Sequence, residues 1–319
     1  MVNKVPRLLA SDAEKTFLPK LKFLQSKGIS SPDLAKLLSS FPNILLRSLD
    51  RQIIPFFNTY SNLIQSDEKT IKAIKWNPFL IGYDVNIIDA HLLPNMNILR
   101  DHGVPESNVI KMLHQFPRAL LINPGGLKEV VEKVEETGLN PQIVKFIHAV
   151  SVLAGMSKSI RERKVDVYKK WGWSDKEIWE CFRKYPSCFA VSEDRIMAIM
   201  DFLVNKMSFA SSHVAKQPSI LSRSFKKRIV PRGLFAQHLL SKGLIKDLKL
   251  SPLFDTTEER FLKSFVARHV TEAPELLERY NEILKNYNPS HILEYLVAPL
   301  FTNASPGYWQ TESNVASPH

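Results

Sequence analysis

The residues of this sequence whose number and spacing point to a chemical role are lysine and arginine, whose side chains can bind anions. The chain has 319 residues and a formal net charge of +11. Residues 155–232 hold 17 Lys/Arg against 8 Asp/Glu, a net of +9, so most of the excess lies in this stretch. Ammonium and guanidinium groups bind phosphates and release counterions as they do so. The charge therefore favours an anionic partner, either nucleic acid or a membrane surface.

One cluster of cations has the spacing of a helix face. Arg223, Lys226 and Lys227 fall on one face of a predicted helix, while Phe225 and Ile229 face its core side. Helices stacked side by side would align such faces into a stripe that follows a phosphate backbone.

A second cluster, 158–170, has a similar arrangement, and further cations lie between the two. The candidate nucleic-acid-binding residues are Lys158, Arg161, Arg163, Lys164, Lys169, Lys170, Arg183, Lys184, Lys216, Arg223, Lys226, Lys227, Arg228 and Arg232.

Ordinary solvation is the alternative explanation of such residues, because surface helices carry Lys and Arg on their solvent side. Residues 200–232 contain 7 basic residues against one acidic residue, which favours binding there. Arg47, Arg51, Arg118 and Arg195 are isolated from the basic clusters, and solvation explains them at least as well.

Aromatic residues lie beside the basic clusters and offer a second kind of contact. Tyr168, Trp171, Trp173 and Trp179 could stack on unpaired bases. Large aromatic residues at helical intervals also fill the space between packed helices, and their spacing favours this role in the core.

No catalytic or metal-binding constellation can be recognised in the sequence. The nine histidines are scattered, with no His-Glu-x-x-His motif and no pairing with cysteine at zinc spacing. Cys181 and Cys188 are interpreted as small core residues of a reducing compartment. No apolar run approaches the roughly 20 residues that span a bilayer. We predict no enzyme, no cofactor, no metal site and no membrane partner.

The elements that position the cations come from an internal repeat. Pro-x-x-Leu occurs at Pro6, Pro42, Pro117 and Pro218, with looser copies at 78 and 186 and a copy without proline at Val150. Their starting points are separated by 36, 36, 39, 33, 36 and 32 residues. A drifting period of this size predicts an array of stacked helical units, each with a proline that closes an apolar helix and a second helix that follows it.

Boundary signals divide the array into units. Ser11-x-x-Glu14 and Ser174-x-x-Glu177 have the spacing of helix capping boxes, and Gly103 and Gly172 precede new first helices. We predict an array over 1–250 with a truncated first repeat, a helical cap over 251–285, and an atypical segment with a disordered tail over 286–319.

The end of the array carries a family resemblance. The segments are Ala-Lys-Gln-Pro-Ser-Ile-Leu at 215–221, Lys-Arg-Ile-Val-Pro-Arg at 227–232, Ser-Lys-Gly-Leu-Ile at 241–245, Glu-Arg-Phe-Leu-Lys-Ser-Phe-Val at 259–266 and Pro-Glu-Leu-Leu at 274–277. Together with the repeated prolines they resemble the mitochondrial transcription termination factor (mTERF) family in its plant-type form. The resemblance implies an all-α, right-handed solenoid of two α-helices and a short 3-10 turn per unit. It also implies a half-doughnut curve with a basic groove.

The resemblance further implies an organellar protein, in a mitochondrion or chloroplast, that binds double-stranded DNA or RNA. The implied roles are transcription termination or regulation and RNA processing or splicing, with organellar transcription or splicing proteins as further partners. We expect a monomer whose transit peptide does not appear in this N-terminally shortened chain. A helical-repeat scaffold that binds protein partners in an organellar ribonucleoprotein complex is the alternative, and it predicts binding that survives high salt.

Overall fold

The computed structural model describes residues 5–269 and 275–287. Within these residues all regular secondary structure is helical, and no strand is present. No helix among them is both long and apolar enough to cross a membrane. The chain divides into two compact units, one ending at Ser222 and the other beginning at Arg223. The predicted boundary at residue 250 stays a prediction, and the predicted tail lies outside the described residues.

The α-helices are short and follow one another closely. Those of the first unit are α1 (Leu18–Ser26), α2 (Ser31–Ser40), α3 (Ile54–Ile64), α4 (Asp67–Trp76), α5 (Leu93–Asp101), α6 (Glu106–Gln115), α7 (Pro124–Glu136), α8 (Val144–Ala154), α9 (Lys158–Lys169), α10 (Asp175–Lys184), α11 (Glu193–Met200) and α12 (Ser211–Lys216). Those of the second unit are α13 (Val230–Ser241), α14 (Leu250–Phe254), α15 (Glu258–Phe261) and α16 (Leu276–Tyr287).

A 3-10 turn follows most of the even-numbered helices of the first unit, which are the first helices of the repeats. A proline opens five of these turns, because proline lacks the N–H that would continue the helix and is tolerated at a first helical position. The turns are Pro6–Ala10, Pro42–Leu46, Leu80–Gly82, Pro117–Leu121, Pro186–Ala190 and Pro218–Ser222. Leu45, Leu120 and Leu221 of the Pro-x-x-Leu motifs are buried, so three of the four motifs anchor their turns in the core, whereas Leu9 of the first motif is 75% exposed.

The copy without proline behaves differently. Val150 lies inside α8, which continues to Ala154 without a 3-10 turn. Valine keeps its N–H and can donate within the helix, so nothing forces the chain to turn at this residue. The predicted repeat position is present there, but its turn is not.

The second helices of several repeats begin with a π-helical turn and a second proline. The turns Ala13–Phe17, Leu49–Ile53, Ile88–Leu92 and Phe225–Ile229 lead into α1, α3, α5 and α13. In each case the residue before the proline donates its N–H to the carbonyl five residues earlier. The proline itself cannot donate four residues back, so a widened turn accommodates it inside the helix.

Buried or half-buried side-chain donors connect successive repeats of the first unit. They lie on second helices and reach carbonyl oxygens in or next to the 3-10 turn of the following repeat. The bonds are Lys20 Nζ to Leu45 O, Asn95 Nδ2 to Leu120 O (2.9 Å) and Ile122 O (2.8 Å), Lys164 Nζ to Val191 O, and Arg195 Nη2 to Ser222 O (2.9 Å). Each bond satisfies a carbonyl that has no helical N–H partner in its own turn.

The 3-10 turns of neighbouring repeats lie side by side in the first unit. The Phe41 and Phe79 rings are 5.0 Å apart, and the Arg118 guanidinium lies 5.8 Å from the Phe79 ring. Further along, His148 stacks on Phe116 and lies 3.3 Å from Ser187 Oγ. We name this surface the turn edge, and it comprises residues 39–46, 75–82, 114–121, 147–154, 183–190 and 215–222.

Gly82 provides a test of packing at the turn edge. A Cβ at Gly82 would lie 2.4 Å from Cζ of Phe41, which is buried. We expect Gly82→Ala to lower the free energy of unfolding by about 1–3 kcal/mol, since the Phe41 ring must shift. Urea denaturation followed by circular dichroism measures this change.

The matched control is Gly126→Ala within α7, where an added Cβ meets nothing within 4 Å. Alanine is favoured over glycine in a helix, so this change should raise the free energy of unfolding by up to about 1 kcal/mol. Equal stability of the Gly82→Ala protein and the unsubstituted protein would contradict the packing described for Phe41.

Candidate nucleic-acid interface

Three of the predicted cations lie on the turn edge. Arg183 and Lys184 end α10, and Lys216 ends α12, each two or three residues before a turn proline. All three are exposed, and within the described residues none forms a salt bridge. Cations are favoured in the last turn of a helix because the carbonyl ends carry partial negative charge. The local fold therefore accepts these charges at the surface without neutralising them.

The start of α9 contributes two more cations near the same surface. Ser157 caps α9 by accepting a hydrogen bond from the Ile160 N–H at 3.3 Å. Lys158 follows the cap and is exposed. Arg161 is half-buried and donates from Nη1 to the Leu153 carbonyl at 3.3 Å, so its side chain lies against the turn edge.

The remaining predicted cations of α9 do not join these two. Lys169 and Lys170 lie at the other end of the helix, about 16 Å from Lys158 at 1.5 Å per residue, and Lys169 pairs with Asp175 at 3.0 Å. Arg163 is exposed but pairs with Glu193 at 3.3 Å. The structure thus separates a set that the sequence treated as one cluster.

The prediction is wrong for Lys164. Its side chain is buried, its Nζ donates to the Val191 carbonyl, and burial lowers its pKa. A buried ammonium group that is held by the next repeat is not available to a phosphate. The i, i+3 spacing from Arg161 was real, but the middle of this helix face packs against protein.

The prediction is also wrong for Arg232, which is 0% exposed. Its Nη2 pairs with Glu258 at 2.6 Å, and its Nη1 donates to the carbonyls of Leu253 and Thr256, each at 2.9 Å. The guanidinium also lies 4.5 Å from the Phe261 ring. Arg232 therefore stabilises the core of the second unit.

Lys226 and Lys227 are the outward-facing cations at the start of the second unit. Both are exposed on the π-helical turn Phe225–Ile229, where Ser224 Oγ accepts from the Lys227 N–H at 3.2 Å. Ile229 is buried, as predicted, and Phe225 is half-buried. Within the described part of the chain, neither lysine forms a salt bridge.

The two arginines of the same predicted cluster are more enclosed. Arg223 pairs with Asp255 at 3.1 Å. Arg228 is half-buried, and its pKa is lowered by burial and by the charges of Arg232 and Arg223. Three guanidinium groups therefore lie close together here, but carboxylates offset two of them.

The aromatic residues beside the basic clusters are largely packing residues. Tyr168 and Trp173 are buried and stack with their rings 4.8 Å apart, and Trp173 Nε1 donates to Ser211 Oγ at 2.7 Å. Trp171 and Trp179 are half-buried. The preference for core packing is confirmed for Tyr168 and Trp173.

Two exposed aromatic residues were missed by the sequence reasoning. Trp76 is 74% exposed and Phe79 is 46% exposed, and both lie on the turn edge. Trp76 stands two residues before a turn proline, where other repeats have Gln115, Lys184 and Lys216. A tryptophan at a position that is polar elsewhere was the available signal.

Titratable groups of the described core offer no metal site. Among the described residues there is no group of three His, Cys, Asp or Glu side chains that could hold a metal ion. The Sγ atoms of Cys181 and Cys188 lie 3.6 Å apart and both thiols are buried. Burial raises the pKa of the Cys188 thiol, which keeps it protonated near neutral pH.

The mTERF family model matches residues 1–89 and 51–262 of this chain. The chain belongs to the mTERF family. The family has a helical-repeat solenoid fold, and the predicted all-α repeat class is confirmed by the helices described above.

Two relatives from Arabidopsis thaliana match most of this mTERF chain. Transcription termination factor MTERF8, chloroplastic, is 20% identical over 267 residues, which cover 83% of this chain and 52% of the relative. Transcription termination factor MTERF15, mitochondrial, is 25% identical over 250 residues, which cover 77% of this chain and 54% of the relative. The chain spans about half the length of these relatives.

The structural role of Arg232 can be tested by Arg232→Met. Removing one partner of a buried ion pair leaves Glu258 and two carbonyls without their donor, which costs about 3 kcal/mol or more. We expect faster amide hydrogen exchange in α13, α14 and α15, measured by mass spectrometry. Lys227→Met is the control and should leave exchange unchanged, since its side chain is exposed. Equal exchange in both variants would contradict the structural role.

Proposed function

We propose that this mTERF protein binds nucleic acid in a mitochondrion or chloroplast and thereby regulates organellar gene expression. The observation that carries the proposal is a group of exposed cations that form no salt bridge within the described residues and come from the stretch that holds most of the net charge. The group comprises Lys158, Arg183, Lys184, Lys216, Lys226 and Lys227. The names of the relatives, one chloroplastic and one mitochondrial, support an organellar setting.

The mechanism follows from the chemistry of these side chains. Each lysine or arginine that approaches a phosphate displaces condensed counterions, and their release favours binding. Contacts of this kind fix position on the nucleic acid but do not read its sequence. A protein held in this way can obstruct a polymerase and end transcription, or hold a transcript in a form that is processed or spliced. Binding, rather than catalysis, is the activity that these residues support.

Duplex DNA and single-stranded RNA of matched sequence test the proposal with the purified chain. Affinity for at least one of them should fall steeply between about 50 and 200 mM salt, with a log–log slope near −0.9 per contacted phosphate for duplex or −0.7 for single strands. The nucleic acid with the stronger response separates a transcriptional role from an RNA-processing role. No binding to either at low salt would contradict the proposal.

Charge reversal at Lys226 and Lys227 tests the site. We expect the Lys226→Glu/Lys227→Glu protein to bind more weakly and to lose about one unit of salt slope for each phosphate contact removed. The matched control is Lys22→Glu/Lys36→Glu, which removes the same charge from exposed residues of α1 and α2 outside the turn edge. If both double variants bind equally well, these two lysines are not part of the interface.

A further inference from the structure

Trp76, Phe79 and Arg118 are exposed aromatic and cationic residues of the turn edge, and Arg118 lies beside Phe79. Trp76 is the last residue of α4, and most of its surface is open to solvent. A tryptophan side chain has a large apolar surface whose burial is favourable. The core of this protein does not cover that surface in Trp76, so the ring is available to a ligand. The Phe79 ring lies three residues further on, at the start of the turn.

The Phe79 ring has a fixed support behind it. Phe79 packs against the buried Phe41 with ring centroids 5.0 Å apart, and Phe41 in turn fills the space that the missing side chain of Gly82 leaves. Arg118 comes from the next repeat and places its guanidinium 5.8 Å from the Phe79 ring. Two repeats therefore hold Phe79 and Arg118 beside each other before any ligand arrives.

The charge around Trp76, Phe79 and Arg118 favours an anionic aromatic ligand over an apolar peptide. Lys75 is adjacent but pairs with Asp33 at 2.7 Å, so its charge is offset. Arg118 is exposed, and within the described residues it forms no salt bridge. A flat ring beside an unneutralised guanidinium matches a nucleotide, which presents a base to the aromatic surface and a phosphate to the cation.

The same edge leads to the cations of the proposed interface. Trp76 occupies the position that Lys184 and Lys216 occupy in later repeats, two residues before the turn proline. A strand that follows the edge would meet an aromatic surface first and phosphate-binding side chains three repeats later. Unpaired bases can stack on such a surface, whereas the bases of a duplex are already stacked.

We propose that Trp76, Phe79 and Arg118 form a stacking site for an unpaired base of a single-stranded nucleic acid. The proposal rests on the nucleic-acid-binding function proposed above and adds the kind of strand and the residues that contact a base. It requires that binding at this site depend on the base and not on the phosphate alone.

Two oligomers of equal length test this requirement, an oligouridine RNA and an abasic sugar-phosphate oligomer. Trp76→Ala should weaken RNA binding about 5- to 150-fold, the range for loss of one base stack. Affinity for the abasic oligomer and the salt slope should not change. Trp76→Phe should restore most of the RNA affinity, because a phenyl ring still stacks. Fluorescence anisotropy of labelled oligomers measures all of these affinities.

Ile143→Ala is the matched control, since Ile143 is also an exposed apolar residue but lies outside the turn edge. It should leave both affinities unchanged. Unchanged RNA affinity in Trp76→Ala, or an equal loss for both oligomers, would overturn the stacking site and leave the proposed function standing. Wild-type protein that binds duplex DNA but not the RNA would also overturn the stacking site and leave the proposed function standing. Wild-type protein that binds no nucleic acid at low salt would overturn both proposals.

Discussion

Hydrogen bonds from one repeat to the turn carbonyls of the next are the interaction on which the array depends. Each proline ends its helix at a short 3-10 turn, and carbonyls near the end of that turn, such as those of Leu45 and Leu120, lie in the core without a following helical N–H. A buried carbonyl without a donor costs about 1–3 kcal/mol. Lys20, Asn95 and Lys164 supply that donor from the preceding second helix. The turns that receive such a donor are therefore complete only when the preceding repeat is present, which ties stability to the stacking of repeats.

The need for buried hydrogen-bond donors means that part of the net positive charge serves the fold and not a ligand. A long cationic side chain is well suited to reach a carbonyl across a helix interface, so some of the Lys and Arg residues are structural. Lys20, Asn95 and Arg232 each follow the second proline of their repeat, while α3 places the buried Phe56 at that position. The sequence counts all cations equally. The structure buries Lys20, Lys164 and Arg232, and among the cations that stay exposed it places Arg183, Lys184 and Lys216 at helix ends beside the turns.

Local rules were enough to predict the repeat from the sequence, but not the partners of individual side chains. Proline conformation and capping act over a few residues, and the Ser174–Glu177 capping box is present. At the first repeat Asp12, not Ser11, accepts the capping hydrogen bonds, since both residues can act as caps and only the backbone geometry selects one. The burial of Lys164 depends on Val191, which lies 27 residues away, and the exposure of Trp76 depends on what the next repeat leaves uncovered. No local pattern contains that information.

The turn edge contains positions that are fixed by packing in the core and positions that are not. Packing fixes the proline, the leucine three residues later and the donor from the neighbouring repeat, so substitutions there disturb the core. The residue two positions before the proline is under no such constraint, and the repeats place Ser40, Trp76, Gln115, Lys184 and Lys216 there. A position that the fold presents in these five repeats, and whose side chain the core does not need, can change chemistry one repeat at a time. Contacts with bases and phosphates can then be arranged along a strand without any change in the helices that present them.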